Sequence, residues 1–169
     1  MQRNLSRHPG NTSVEMNIPR LDWPCALAAL PANEIKAAAD AITRTHEVQD
    51  ISLPQAGLGL LTLRDGALQE PFYLGEVPVA RAQVVVRTHD GREASGGAVL
   101  IDDRVRLARA LAILDAILAA RLPGWKTVAT LVERGVALRA QQEAQRRHIL
   151  ERTRVDFALL GQTEEEDDE

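Results

Sequence analysis

The most regular pattern of hydrophobic positions along the chain lies in residues 71–86, which hold its longest run of β-branched residues. Successive residues of a strand point to opposite faces, and apolar side chains occupy both sets of alternate positions here. This pattern predicts a central strand that is largely covered on both faces. Pro78 has no N–H, so the first part of the strand is expected to be an edge, a bulge or a lead-in segment. Arg81 carries a permanent charge within this strand and needs a partner or a route to solvent.

Turn residues divide the sequence around this strand into further predicted strands. Asp65-Gly66 and His89-Asp90-Gly91 are turn signals on its two sides. Because the links are too short for helical crossovers, the strands would form an antiparallel meander. Gly96-Gly97 marks a bulge or a close approach in the last strand. The predicted strands are residues 48–53, ended by Pro54, then 57–64, 71–86 and 94–101.

Hydrophobic periodicity predicts two short helices before the strands and two longer ones after them. The short pair should form a helical hairpin packed on the sheet, with Asp22 as the first N-cap. A leucine stripe on the third helix should cover one face of the sheet, with Asp115 beside it; Asp102-Asp103 can cap this helix and Pro123-Gly124 would end it. In the fourth helix Gly135 permits a close crossing, and the polar second half is either solvated or lies on another protein. The predicted helices are residues 21–30, 34–46, 103–122 and 125–152.

These elements predict an α+β fold, an antiparallel β-meander of about three to five strands packed against α-helices. Residues 1–20 lack periodicity and are expected to be a disordered or loose arm before a single domain at 21–161. Residues 162–169 form an acidic tail. The apolar segment 153–161 suits a terminal strand of the sheet or a segment that docks on a partner.

Composition narrows the function classes. Hydrophobic residues make up 45% of the chain but aromatic residues only 3%, so Leu, Val, Ile and Ala must build the core. A net charge of −4 gives no positive field that would attract nucleic acid. Cys25 is the single cysteine, which excludes a disulfide within the chain and favours a core role. No apolar run approaches the roughly 20 residues that span a bilayer, and no signal peptide is evident, so we expect a cytoplasmic protein without a membrane partner.

The sequence contains no familiar catalytic motif. It has no glycine-rich phosphate loop and no nucleophile elbow, and its four histidines are scattered without metal-ligand spacing. Charged residues in apolar settings remain, and each would need a partner once desolvated. They either pair within the fold or reach across an interface or into an anion site, where an arginine can bind phosphate bidentately. These residues are Glu76, Arg81, Asp115, Arg154 and Asp156.

Three blocks of sequence resemble the PhnG family, which belongs to the bacterial carbon–phosphorus lyase system. The first is Phe72-Tyr73-Leu74-Gly75-Glu76-Val77-Pro78-Val79-Ala80-Arg81, and the second is the helix around Leu111-Ala112-Ile113-Leu114-Asp115-Ala116-Ile117-Leu118. The third, Thr153-Arg154-Val155-Asp156-Phe157, is the most specific, with five consecutive matching residues near the end. The resemblance spans roughly residues 21–161 and is that of a divergent member, because the loops around these blocks differ.

The resemblance implies a hetero-oligomeric role in phosphonate catabolism, in a core complex with the H, I and J subunits of that system. With the H, I and L subunits, the family takes part in converting ATP and an alkylphosphonate to ribose 1-alkylphosphonate 5-triphosphate, with release of adenine. The nucleosidase chemistry is assigned to the I subunit, so the resemblance implies no catalytic residue, cofactor or metal on this chain. The residues it marks as structural or interface residues are Gly75, Glu76, Arg81, Asp115, Arg154, Asp156 and Phe157.

An alternative reading of the residues is a stand-alone module that binds a small anion or a nucleotide phosphate through Arg81 and Arg154. An independent hydrolase is a third, weaker reading because the sequence lacks a catalytic set. The first reading predicts assembly with other subunits, and the second predicts ligand binding by the chain alone.

Overall fold

Three antiparallel strands in the order β1-β2-β3 form the sheet of this computed structural model, which describes residues 17–152. They are β1 (Glu47–Arg64), β2 (Pro71–Arg87) and β3 (Glu93–Leu100). Short turns join them, so each strand pairs with the next along the chain. The predicted meander, with the residue 71–86 stretch at its centre, is confirmed.

Four α-helices accompany this sheet among the described residues. Two short ones precede it, α1 (Trp23–Ala28) and α2 (Ala32–Thr43), after a single 3₁₀ turn at Arg20–Asp22. Two longer ones follow it, α3 (Val105–Ala119) and α4 (Trp125–Arg152). The α+β class and the helix order are therefore as predicted. The predicted C-terminal segment and acidic tail lie outside the described residues.

The break predicted at Pro54 is wrong, because β1 runs through it as one strand. Among the described residues β1 pairs only with β2, which makes it an edge strand, and edge strands tolerate a proline that donates no hydrogen bond. The pairing is irregular around the proline, since the register with β2 shifts between Ser52 and Gln55. Residues 48–53 and 57–64 thus belong to the same strand.

Only one face of β2 is covered, so the prediction of cover on both faces is wrong for the described chain. Ala80, Ala82, Val84 and Val86 are buried beneath α3. The opposite face presents exposed residues such as Arg81, because no helix packs there. The pairing of β3 with β2 stops at Ala80, so Pro78 lies where β2 pairs with β1 alone, in line with the predicted edge-like start.

Helix α3 lies at the centre of the core. The leucine stripe predicts burial of one side against the sheet, but almost every residue from Leu107 to Leu118 is buried. The extra cover comes from α2 and α4, which pack on α3. The short helices therefore pack on other helices, α2 on α3 and α1 on α4, and the prediction that they pack on the sheet is wrong.

The predicted ends of α3 also differ from the structure. No side chain hydrogen-bonds at its N-cap, Arg104, although the carboxylate of Asp102 accepts from the Arg104 backbone N–H at 2.9 Å. The helix ends at Ala119, before Pro123-Gly124, because Arg121 adopts a left-handed φ of 47°. The N–H of Leu122 then bonds the carbonyl of Ile117 at 3.0 Å, as in a Schellman ending.

Two glycines set the closest approaches in the core, as the sequence predicted. A Cβ on Gly96 would lie 2.1 Å from the carbonyl oxygen of Ala112, so α3 crosses β3 in direct backbone contact. A Cβ on Gly135 would lie 2.0 Å from the carbonyl oxygen of Ala26, where α1 crosses α4. Each contact exists only because glycine has no side chain.

Candidate functional site

Asp115 holds three parts of the fold together. The residue is 6% exposed, and Oδ1 accepts from Nε of Arg20 at 3.0 Å while Oδ2 accepts from Nη2 at 2.7 Å. Oδ2 also accepts from the backbone N–H of Gly97 at 3.1 Å. The carboxylate thus joins the segment before α1, the middle of α3 and strand β3 in one buried node.

The Asp115 node depends on close packing between α3 and β3. Because Gly96 lets the helix backbone contact the strand, the next N–H, that of Gly97, lies within hydrogen-bond reach of Asp115. Arg20 closes the node from outside, and the bond it donates to Asp115 raises the pKa of its guanidinium. The indole N–H of Trp23 donates to the carbonyl of Ile18 at 2.8 Å, which fixes the chain on the N-terminal side of Arg20.

Arg20 is the residue that sequence reasoning missed. The aperiodic sequence around it predicts a loose N-terminal segment, and Arg20 lies 95 residues from Asp115 in the sequence. The one local signal is Trp23, a large side chain at the start of α1. Burying it requires the segment before it to pack against the domain. The domain boundary at residue 21 stays a prediction, but Ile18 and Arg20 already contact the body of the domain.

The other predicted site residues do not gather around Asp115. Arg81 is exposed on the open face of β2, where Nε lies 2.9 Å from the amide oxygen of Gln55 once that amide is oriented to accept. Glu76 is exposed opposite Leu60. Both charges therefore reach solvent in the described chain. Of the predicted charged residues within 17–152, Asp115 is the one found desolvated.

Gly75 and the C-terminal residues complete the predicted set. Gly75 has a φ of 138°, which favours glycine, and it lies beside a register shift in the pairing of β1 with β2. Arg154, Asp156 and Phe157 lie outside the described residues. Their roles, like those of the other site residues, stay predictions.

A β-hairpin projects beyond the helices. We call it the arm; it consists of residues 57–64 of β1, residues 71–79 of β2 and the turn between them. The turn is closed by Asp65, whose backbone N–H donates to the Glu70 carbonyl at 2.9 Å and whose carboxylate accepts from the Leu68 N–H. The hydrogen bonds that backbone N–H groups donate to this carboxylate, that from Leu68 foremost, lower the pKa of Asp65. Large apolar side chains are exposed along the arm: Leu58, Leu60, Leu63, Leu68, Phe72, Tyr73 and Leu74.

A separate cleft of about 560 Å³ lies where the end of α2 meets the start of α4 and the β2–β3 turn. Its walls are mostly apolar, with Ile42 and Val128 at the base and His46, His89 and Asp90 among its polar residues. Among residues 17–152, no three His, Cys, Asp or Glu side chains come together in a way that could hold a metal ion. No helix in this range is long and apolar enough to cross a membrane.

These observations define the class of protein: a small α+β domain whose buried carboxylate is satisfied internally and whose apolar arm is not covered by any other part of residues 17–152. The profile of the family "phosphonate metabolism protein PhnG" matches residues 18–161, and the chain belongs to this family. The chain is also similar to the alpha-D-ribose 1-methylphosphonate 5-triphosphate synthase subunit PhnG of Rhizobium meliloti (strain 1021). The two are 32% identical over 139 residues, which is 82% of this chain and 86% of the relative.

Proposed function

We propose that this chain is a subunit of an alpha-D-ribose 1-methylphosphonate 5-triphosphate synthase in phosphonate catabolism. The observation that carries this proposal is the similarity to the Rhizobium protein, which extends over most of both chains and whose name makes it a synthase subunit. The family match over residues 18–161 supports it independently of that one relative. A similarity that includes nearly all of the fold argues for the same role rather than for a shared fragment.

The substrates of the complex would be ATP and an alkylphosphonate, and the product ribose 1-alkylphosphonate 5-triphosphate with release of adenine. Its partners would be the H, I and L subunits for this step, with the J subunit in the core complex. We assign the bond-breaking to the I subunit and give this chain a scaffold or regulatory role.

The Asp115 node supports the scaffold role. Asp115 is the buried carboxylate among residues 17–152, and a catalytic base would need an oxygen free to face a substrate. Instead, Oδ1 accepts a hydrogen bond from Arg20, and Oδ2 accepts from Arg20 and from the backbone N–H of Gly97. The internal bonds make this carboxylate a structural clamp.

Co-purification tests the proposal. When the tagged chain is co-expressed with the H, I and J subunits, we expect it to elute with them in one peak of constant ratio on size exclusion. The matched control is an unrelated protein carrying the same tag, which should elute apart. Assembly of the other subunits without the chain, with the chain eluting alone, would contradict the proposal.

A further inference from the structure

The arm carries apolar side chains on both of its faces. Cross-strand partners share a face, so the pairs Leu58–Pro78, Leu60–Glu76 and Thr62–Tyr73 define one face, and Leu63–Phe72 belongs to the other. On the first face Leu58 and Tyr73 are each 70% exposed, and on the second Phe72 is 45% exposed. Cover on one side alone would leave the other side in water.

The arm also lacks what an exposed ribbon needs for its own stability. An isolated two-stranded hairpin is marginally stable in water, and protected edges usually carry charges. Within the arm's two strands only Arg64 and Glu76 are charged. Tyr and Phe are enriched at the centres of protein interfaces, and Phe72 and Tyr73 are adjacent here. The chemistry of the arm therefore fits an apolar protein surface.

A second copy of this chain would cover the arm poorly. With a rise of about 3.3 Å per residue, the arm is about 26 Å long and about 10 Å wide, so each face is a narrow strip with a projected area of about 260 Å². A standard interface buries about 800 Å² of accessible surface per partner, which one such face does not reach, and stacking two arms face to face would leave the outer face of each in water. Pairing two arms edge to edge would satisfy backbone groups but leave both apolar faces exposed.

The cleft near His46 offers no socket for the arm of a second copy. A ribbon of this length, width and about 10 Å thickness occupies about 2,600 Å³. The cleft holds about 560 Å³ and fits at most a few side chains. Since neither arrangement of a second copy covers both faces, the arm fits better into a polypeptide that supplies a longer, deeper apolar cleft.

We infer that the arm inserts into a largely apolar cleft of a different subunit of the synthase, which encloses both faces of the ribbon. This inference rests on the proposed function, because it takes the occupant from the same complex. It adds which element of this chain makes the contact and what the partner surface must look like. Enclosure of both faces and both edges brings the buried area into the range of a stable interface.

Polar substitutions on each face test the inference separately. Leu58→Ser with Tyr73→Ser changes one face, and Leu63→Ser with Phe72→Ser changes the other. Each pair should weaken co-elution with the other subunits by at least about tenfold in apparent affinity, since truncated central anchors have effects of this size. Because these side chains are exposed, the folded chain should keep its circular dichroism spectrum.

The matched control is a pair of apolar residues off the arm that are more exposed still, Leu21→Ser with Ile101→Ser, which should change the affinity by less than about twofold. If the arm pairs and the control pair assemble as well as the unchanged chain, the arm is not the contact and the inference fails while the proposed function stands. If the unchanged chain itself does not co-elute, the proposed function fails and the inference falls with it.

Photo-crosslinking in the assembled complex gives a second readout that does not depend on weakened binding. With p-benzoylphenylalanine at Tyr73 or at Phe72, both positions should cross-link to the same other subunit, since they lie on opposite faces of the arm. Cross-links to a second copy of this chain, or from one face only, would overturn the inference.

Discussion

Replacing Gly96 with alanine should lower the free energy of unfolding by about 3 kcal/mol, because the added methyl group overpacks the core. The new Cβ would lie 2.1 Å from the Ala112 carbonyl oxygen and 2.5 Å from the Ala116 nitrogen. Both are backbone atoms of α3, so no side chain can rotate away and the helix must move off the sheet. Urea unfolding of the purified chain, followed by circular dichroism, measures the change.

The neighbouring glycine provides the control. A Cβ on Gly97 would meet only the Gln83 side chain at 3.7 Å and the Ala82 carbonyl at 3.8 Å, which are ordinary contacts. Gly97→Ala should therefore change stability by less than about 1 kcal/mol, in either direction. Equal effects at the two positions would show that α3 does not approach β3 as closely as described.

Replacing Asp115 with alanine should cost about 3 kcal/mol of unfolding free energy. The substitution removes both acceptors of Arg20 and leaves the N–H of Gly97 without its acceptor in a largely buried setting. Arg20 is partly exposed and can regain water, which keeps the cost below that of stranding a fully buried charge. The unfolding free energy of Asp115→Asn should lie between those of the unchanged chain and Asp115→Ala, because the amide keeps one acceptor oxygen.

The ion pair between Arg109 and Asp50 is the matched control for Asp115. Its single hydrogen bond of 2.8 Å joins two partly exposed side chains, so Asp50→Ala should cost less than about 1 kcal/mol. A double-mutant cycle then isolates the interaction between Arg20 and Asp115. If Arg20→Ala costs as much in the Asp115→Ala background as in the unchanged chain, the two residues are not coupled and the node has no structural role.

Elements bounded by clear turn or helix-breaking residues could be predicted from the sequence. Helix α4 is predicted at 125–152 and is found at Trp125–Arg152, because Pro123-Gly124 marks its start and a long periodic pattern follows. The turns at Asp65-Gly66 and at His89-Asp90-Gly91 determine the order of the strands for the same reason. The two close glycines stand out because each interrupts an apolar element; for Gly96 the sequence left a bulge or a close approach open, and the structure shows the close approach.

What packs against each face could not be predicted. The alternation in β2 shows that both faces can be covered, but it does not say which one a helix of this chain reaches. From the sequence, Pro54 predicts the end of a strand. A strand tolerates proline only where it lies at the edge of a sheet, and whether β1 is an edge strand is a property of the whole sheet.

The contacts of the candidate site could not be predicted either, because they join residues that are far apart in the sequence. Asp115 stands out as a charge beside an apolar stripe, yet its partner Arg20 has no local pattern that points to it. Arg81 is expected to need a partner because its strand is apolar, and the open sheet face removes that need in the described chain. Long-range pairing and the absence of a covering layer are tertiary facts that a one-dimensional pattern does not contain.

Adenine release is the most direct test of the central proposal, that this chain is a subunit on which the synthase depends. The complex is reconstituted from its purified subunits with ATP and methylphosphonate, once with this chain and once without it, and free adenine is measured over time. We expect release only when the chain is present, at a rate that saturates as the chain reaches the amount of the other subunits. Release at the same rate without the chain would contradict the proposal.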